Sequence, residues 1–382
     1  MTWVLLRRTF IWLLALSLVA VEPVEPGERL DADSTESSSL FRRVRSPHER
    51  VVEFVHRVKN QGKSPLRQVQ VAVAVPRSDD RQRIRSLRFH PKPERISRDG
   101  WDQETAHFLV DRIGPGDSTE IRLEVHATLF DSEWLLVERD VGPAHEVPER
   151  IVRHYLRNAE NYKLDEAIVR RAAERLRTTE ASVLERVRRI HDFVIDSVDY
   201  SRDERWDPAD SVLRKGSGSC SEYSYLMIAL CRLNGIPARY AGGTWFEKDG
   251  VSPPRGEAAK AEASVDRVFH RWVEVYLPRV GWFPVDPTQD DAADKEGETY
   301  RYFGRLPWSY LSMNHSDGDR LESGPLGWDY RSDTRWLRRP DVAQDSVLVE
   351  RFAVWKTPCK ERKVSEAQRA GTSRKSGDFD RS

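Results

Sequence analysis

The chain has 382 residues, of which 38% are apolar and 32% charged, with 62 Lys and Arg against 62 Asp and Glu. That length suits two folded units plus tails. The zero balance leaves no electrostatic footprint for nucleic acid, and basic pairs such as Arg42-Arg43 read as solvated surface. The histidines show no H-x-x-x-H spacing, the cysteines no C-x-x-C, and no Gly-rich phosphate loop follows a strand. No metal and no cofactor are therefore expected.

Residues 1–25 read as a targeting segment. Arg7 and Arg8 precede an apolar run from Phe10 to Val21, which Glu22, Pro23 and Pro26 end. The run has the length of a signal h-region and falls short of the ~20 residues of a membrane span. Arg7-Arg8-Thr9-Phe10-Ile11 also resembles the core of a twin-arginine signal. Near Ala20 no small-x-small cleavage site stands out, so cleavage and an uncleaved anchor both remain open. Either implies export, to the periplasm, the medium or a membrane anchor, with membrane contact only through this segment. Residues 26–48 are charged and Ser-rich and read as a linker.

Residues 49–135 carry short β-forming runs at Val51–Val58, Val69–Val75, Thr105–Val110 and Ile121–Leu129. Val69, Val71, Val73 and Val75 recur with period two, the pattern of a half-buried strand. Turn signals at Asn60-Gln61-Gly62, Asp99-Gly100 and Gly114-Pro115-Gly116 separate the runs. A small all-β sandwich is expected, with no catalytic constellation in it.

After Pro148 helical spacing takes over. Leu164, Ile168, Ala172 and Leu176 form one stripe. Val183, Val187, Ile190, Val194 and Val198 form a second, opened by Ser182 and Glu185 in a capping-box pattern. His191 lies within it and reads as structural. Residues 146–358 are assigned to a second domain, with a core at 150–290 and an extension at 291–358. That extension is rich in Trp and Tyr (Trp308, Tyr310, Trp328, Tyr330, Trp336) and is expected to add strands or cover a cleft. The charged segment 359–382 reads as disordered.

Gly216-Ser217-Gly218-Ser219-Cys220-Ser221-Glu222-Tyr223 supplies a tight turn and then an S-x-x-E capping box. Tyr223, Leu226, Met227 and Leu230 continue at helical spacing until Asn234-Gly235. Cys220 thus falls at the first helical position, where unpaired N–H groups and the helix dipole favour a thiolate. Cys231, eleven residues on, would stand roughly 16 Å away along the axis, too far for a disulfide. It reads as core filler, and Cys359 lies in the polar tail.

Phe269-His270-Arg271-Trp272-Val273-Glu274-Val275-Tyr276-Leu277 alternates β-branched and aromatic residues on both faces, as an internal strand does. Gly281 to Val285 reads as the returning strand, ending at Asp286. With Leu277 opposite Trp282, Asp286 faces Val273, about 10 Å along the strand from His270. A turn centred on Pro278 would set Asp286 opposite His270. The register is open on sequence alone. Upstream, Tyr200 and Trp206 are candidate walls of a site or oxyanion donors, though core packing is the stronger expectation for both.

These segments together resemble the transglutaminase-like superfamily. The resemblance rests on Gly218-x-Cys220 before an apolar helix, Leu226 to Leu230, and Asn234-Gly235-Ile236-Pro237-Ala238-Arg239. It continues through His270-Arg271-Trp272-Val273-Glu274-Val275-Tyr276 and Gly281-Trp282-Phe283-Pro284-Val285-Asp286-Pro287-Thr288. It covers residues 150–290 and implies an α+β fold. A papain-like core, with the Cys helix packed on an antiparallel sheet, would follow the sandwich. It further implies a catalytic triad of Cys220 as nucleophile, His270 as base and Asp286 as its orienter.

Three functions fit that implication. One is an exported cysteine peptidase or amidase working through a thioester acyl-enzyme on a peptide or protein substrate. Another is protein-glutamine γ-glutamyl transfer to an amine. The last is a catalytically silent binding protein of the same fold. Hydrolysis is the expectation.

Overall fold

The computed structural model describes residues 41–98, 103–178, 181–201, 206–245, 269–294, 300–316, 334–336 and 347–356. The targeting segment, Cys359 and the tail lie outside these residues, as do Trp328 and Tyr330.

The first unit is a β-sandwich. Its strands are β1 (Arg42–Asn60), β2 (Leu66–Val75), β3 (Gln82–His90), β4 (Arg95–Arg98), β5 (Glu104–Ile113) and β6 (Ser118–Trp134). β1 and β6 form the centre of one sheet, and β2 and β5 the centre of the other. Val52, Phe54 and Val58 from β1 pack with Val69, Val71, Val73 and Val75 from β2, and with Ile121, Leu123 and Val125 from β6. The period-two valines of β2 are all buried, because alternation places them on the face between the sheets. β3 and β4 escape the sequence reading: arginines fill the exposed positions, and a bulge between Ile84 and Ser86 breaks the alternation.

The second unit contains α1 (Glu149–Tyr155), α2 (Ala167–Leu176), α3 (Val183–Ser197), the short β7 (Asp199–Tyr200), α4 (Ala209–Lys215) and β8 (Ser217–Gly218). Then follow α5 (Cys220–Leu233), β9 (Ala238–Trp245), β10 (Phe269–Leu277), β11 (Gly281–Val285), α6 (Pro287–Asp294), β12 (Arg305–Leu306) and β13 (Tyr310–Ser316). An antiparallel sheet runs β11-β10-β9-β13. Helix α5 lies against it, packing Leu226, Leu230 and Cys231 with Val273, Val275 and Leu277 of β10. The stripe Val187, Ile190 and Val194 of α3 closes over the same core. Ser182 caps α3, its Oγ accepting the Glu185 N–H at 3.1 Å.

The chain's organisation departs from the expected boundaries in two places. The first strand begins at Arg42, inside the segment read as linker, because β6 runs to Trp134 and pairs with β1 that far. Residues assigned to the C-terminal extension return to the sandwich: β14 (Thr334–Trp336) pairs with β2, and β15 (Val347–Lys356) pairs with β1 from Val51 to Asn60. A long strand such as β1 exposes a row of unpaired backbone groups on its free side, and β15 satisfies them. β13 joins the units as well. It hydrogen-bonds to β9, while its Leu311 and Met313 belong to the sandwich core.

Candidate active site

Cys220 opens α5 as expected. Glu222, at the third helical position, reaches back to accept the Ser219 N–H at 2.9 Å and the Ser219 hydroxyl at 2.6 Å. Its other oxygen accepts the Asp207 N–H at 3.0 Å, so one buried carboxylate ties the preceding loop to the turn that presents the thiol. Gly218 is required there, because a Cβ at that position would stand 2.3 Å from the Glu222 Cβ. The Cys220 side chain is nearly buried, and Cys220 and Cys231 are both free thiols.

His270 and Asp286 come together through the β10–β11 hairpin. The observed register pairs Leu277 with Gly281 and Val273 with Val285, so the turn centres on Arg279. Continued by one residue, the ladder would put Asp286 opposite Trp272. Directly opposed residues share a face, and so do residues two apart on a strand. Asp286 therefore lies on His270's face, and the side chains span the remaining offset: His270 Nε2 donates to Asp286 Oδ2 at 2.6 Å. Asp286 is fixed a second way that the sequence reading did not draw. It caps α6, with Pro287 at the first helical position and Oδ1 accepting the Gln289 N–H at 3.1 Å.

With Nε2 held by Asp286, the other imidazole nitrogen is left for the thiol, and Cys220 and His270 are hydrogen-bonded to each other. Arg271 Nη1 lies 3.8 Å from Cys220 Sγ. Burial alone would push the thiol up, but the His270 hydrogen bond and the Arg271 and His270 charges outweigh it and bring it down to about 7. Burial would likewise lower His270, yet the Asp286 charge and hydrogen bond, with Cys220 behind them, raise it to about 10. Cys231 shows the contrast: burial pushes it up to about 12. The pattern is that of a thiolate beside an imidazolium near neutral pH.

Residues 170–287 match the Transglutaminase-like superfamily. This stretch is a transglutaminase-like domain. The matched span of that domain begins within α2 and ends one residue after Asp286, leaving out β1–β6 and β13. Among curated relatives, YebA of Bacillus subtilis (strain 168), described only as uncharacterised, is 37% identical over 76 residues, which are 19% of this chain and 10% of YebA. A protein-glutamine gamma-glutamyltransferase of Pseudomonas aeruginosa is 27% identical over 131 residues, 34% of this chain and 17% of the relative. The aligned parts are thus a small share of both relatives' lengths. A solved structure, a candidate cysteine protease from Cytophaga hutchinsonii, superposes with a TM-score of 0.54 at 15% identity. It covers 84% of this chain and 94% of that one. This likeness bears out the fold: an α+β core behind an all-β unit.

The two upstream aromatics correct the sequence expectation. Tyr200 and Trp206 are 48% and 40% exposed, not core residues. The reason is local pairing: β7 runs parallel to β8, setting Tyr200 beside Gly218, and the Ser201 N–H bonds the Gly218 carbonyl at 2.8 Å. Tyr200 therefore flanks the turn that presents Cys220. His191 is buried as expected, with Nε2 3.0 Å from Asp290 Oδ2 and Nδ1 3.2 Å from Asp192 Oδ1. Three residues next to the site were given no role in it by the sequence reading: Arg271, Tyr310 and Gly243. Gly243 stands opposite both His270 and Ser312, and a Cβ there would lie 2.0 Å from the Leu311 carbonyl oxygen.

Proposed function

We propose that this protein is an exported cysteine enzyme that cleaves amide bonds in a peptide or protein substrate through a thioester acyl-enzyme, with water completing the turnover. What supports the reading is one arrangement: a depressed thiol at a helix N-terminus, hydrogen-bonded to an imidazole that a buried carboxylate holds by its far nitrogen. In this mechanism the Cys220 thiolate attacks the amide carbonyl, and the Cys220 backbone N–H at the start of α5, with the positive end of the helix dipole, stabilises the oxyanion. As the C–N bond breaks, His270 passes its proton to the departing amine. Neutral His270 then takes a proton from water, the resulting hydroxide displaces the thioester, and the thiol is restored. Asp286 fixes the imidazole and stabilises its charged form throughout. No step calls for a metal or cofactor. Export is supported by Arg7 and Arg8 ahead of the apolar run.

Transfer to an amine is the second reading, favoured by the likeness to the Pseudomonas aeruginosa γ-glutamyltransferase. It shares the first half-reaction and differs only in what attacks the thioester. Incubation of the purified protein with a glutamine-containing protein and a primary amine separates the two by product mass. Both release ammonia: hydrolysis raises the mass by one unit per event, and transfer raises it by the mass of the amine less that of ammonia. Neither product, across a broad peptide library as well, would favour a silent binder and overturn both readings.

A further inference from the structure

Asp286 Oδ2 accepts two hydrogen bonds, not one. Besides His270 Nε2 at 2.6 Å, the Tyr310 hydroxyl donates to the same oxygen at 2.8 Å. Tyr310 is 6% exposed and stands edge-on to His270, with ring centroids 5.7 Å apart, and to Trp272 at 5.3 Å. It comes from β13, outside the span matched to the superfamily. The sandwich holds that strand in place: Ser312 N–H donates to Gln82 Oε1 at 2.8 Å, and Gln82 Nε2 donates to the Ser312 carbonyl at 2.9 Å.

We propose that Tyr310 is a positioning residue that moderates the pull of Asp286 on His270 by sharing its acceptor oxygen, and that the sandwich keeps it there. The proposal rests on the triad reading given above. Its logic is competition for charge. A carboxylate oxygen that accepts a second donor holds the first less strongly. A general acid works best with a pKa near the working pH, so an imidazolium gripped by Asp286 alone would give up its proton too reluctantly. Tyr310 itself stays a donor at every working pH, since burial and the Asp286 charge raise its hydroxyl well above the usual range. Among the described residues, other ionisable groups that act on the pair are Cys220 and Arg271 at the thiol, with Asp290 and Tyr302 coupled to the carboxylate.

The test is the pH dependence of Cys220 alkylation by iodoacetamide, followed by intact mass on the full chain, in wild type and Y310F. Removing the hydroxyl tightens the Asp286–His270 bond, keeps the imidazolium charged and stabilises the neighbouring thiolate. The alkylation midpoint is expected to fall by roughly half a pH unit to one unit, while kcat falls because the proton is released less readily. A merely structural tyrosine gives the opposite sign: a loosened imidazole lets the midpoint climb toward that of an ordinary thiol. An unchanged or raised midpoint overturns the proposal. Fluorotyrosine incorporated at position 310 keeps the hydroxyl and the packing but is a stronger donor, so the midpoint should rise; a fall or no change counts against the idea. Failure of the parent reading looks different, since wild-type Cys220 would then alkylate with no depressed midpoint at all.

Discussion

His270 Nε2 and Asp286 Oδ2 meet at 2.6 Å although the ladder between their strands places them two residues out of register. Parity makes the contact available. An offset of two keeps both side chains on one face, whereas an offset of one or three would point the carboxylate away from the imidazole. The cap on α6 then holds Asp286 where β11 ends.

Asp286→Asn tests the carboxylate with little change of shape. The amide can still cap α6 through its oxygen, but it then turns an NH2 group toward two donors, His270 Nε2–H and the Tyr310 hydroxyl. The imidazole loses the acceptor that fixes its tautomer and charge. The expected result is a fall in kcat of about 10²- to 10⁴-fold, with a melting temperature close to wild type. A fall of less than threefold would remove Asp286 from the mechanism.

Arg271→Gln removes a cation from beside the thiol. The guanidinium lies 3.8 Å from Cys220 Sγ and favours the thiolate, so its loss raises the thiol from about 7 toward the ordinary range. The alkylation midpoint of Cys220 should climb by about one unit, cutting the rate at pH 7 severalfold. Cys231, buried in the α5 core, should stay inert in both proteins. An unmoved midpoint would show that His270 alone sets the thiolate.

The three residues that the structure brings together were legible because each carries a local signal. Cys220 follows a glycine turn and lies inside a capping box, His270 opens a strand apolar on both faces, and Asp286 precedes a proline. What joins them was less legible. The register depended on the turn centring on Arg279, a position with φ of 68° that no sequence pattern announced. Tyr310 and Gln82 were out of reach for another reason: their partners are 24 and 230 residues away, and no periodicity encodes a contact of that span. The same distance hid the return of β15 to β1, which only the unpaired edge of β1 could have hinted at.

His191→Gln should change how stability varies with pH. Burial would lower His191, but the hydrogen bonds to Asp192 and Asp290 win and raise it in the folded protein. A group raised on folding contributes stability that is fully present below its unfolded value of about 6.5 and is lost as pH rises through the folded value. The gap between wild type and H191Q, read from urea denaturation, should therefore be widest below pH 6 and narrow at alkaline pH. A gap that widens with pH would mean that His191 is held neutral.

Glu274 ties β10 to the sandwich, and Glu274→Gln isolates that tie. The fully buried carboxylate accepts from Arg81 Nη1 at 2.6 Å and from Arg239 Nε at 2.8 Å, and His315 Nε2 lies 3.4 Å away. The substitution keeps the volume and removes the negative charge that two nearly buried guanidinium groups share, leaving Arg81 with Asp79 at 3.0 Å and taking from Arg239 its ion pair with Glu274. Breaking such a group from one side costs about 3–5 kcal/mol. Burial would raise Glu274, but the Arg81, His315 and Arg239 charges hold it well below the usual carboxylate range. A depressed carboxylate gives stability present above its unfolded value of about 4.3 and lost only as pH falls through the folded one. Urea denaturation at pH 7 and at pH 5.5 should thus return the same gap, whereas the His191 gap narrows as pH rises. Because Glu274 shares its strand with His270 and Arg271, kcat should drop along with stability in E274Q. A stable E274Q enzyme with full activity would mean that the sandwich neither braces β10 nor matters to the site.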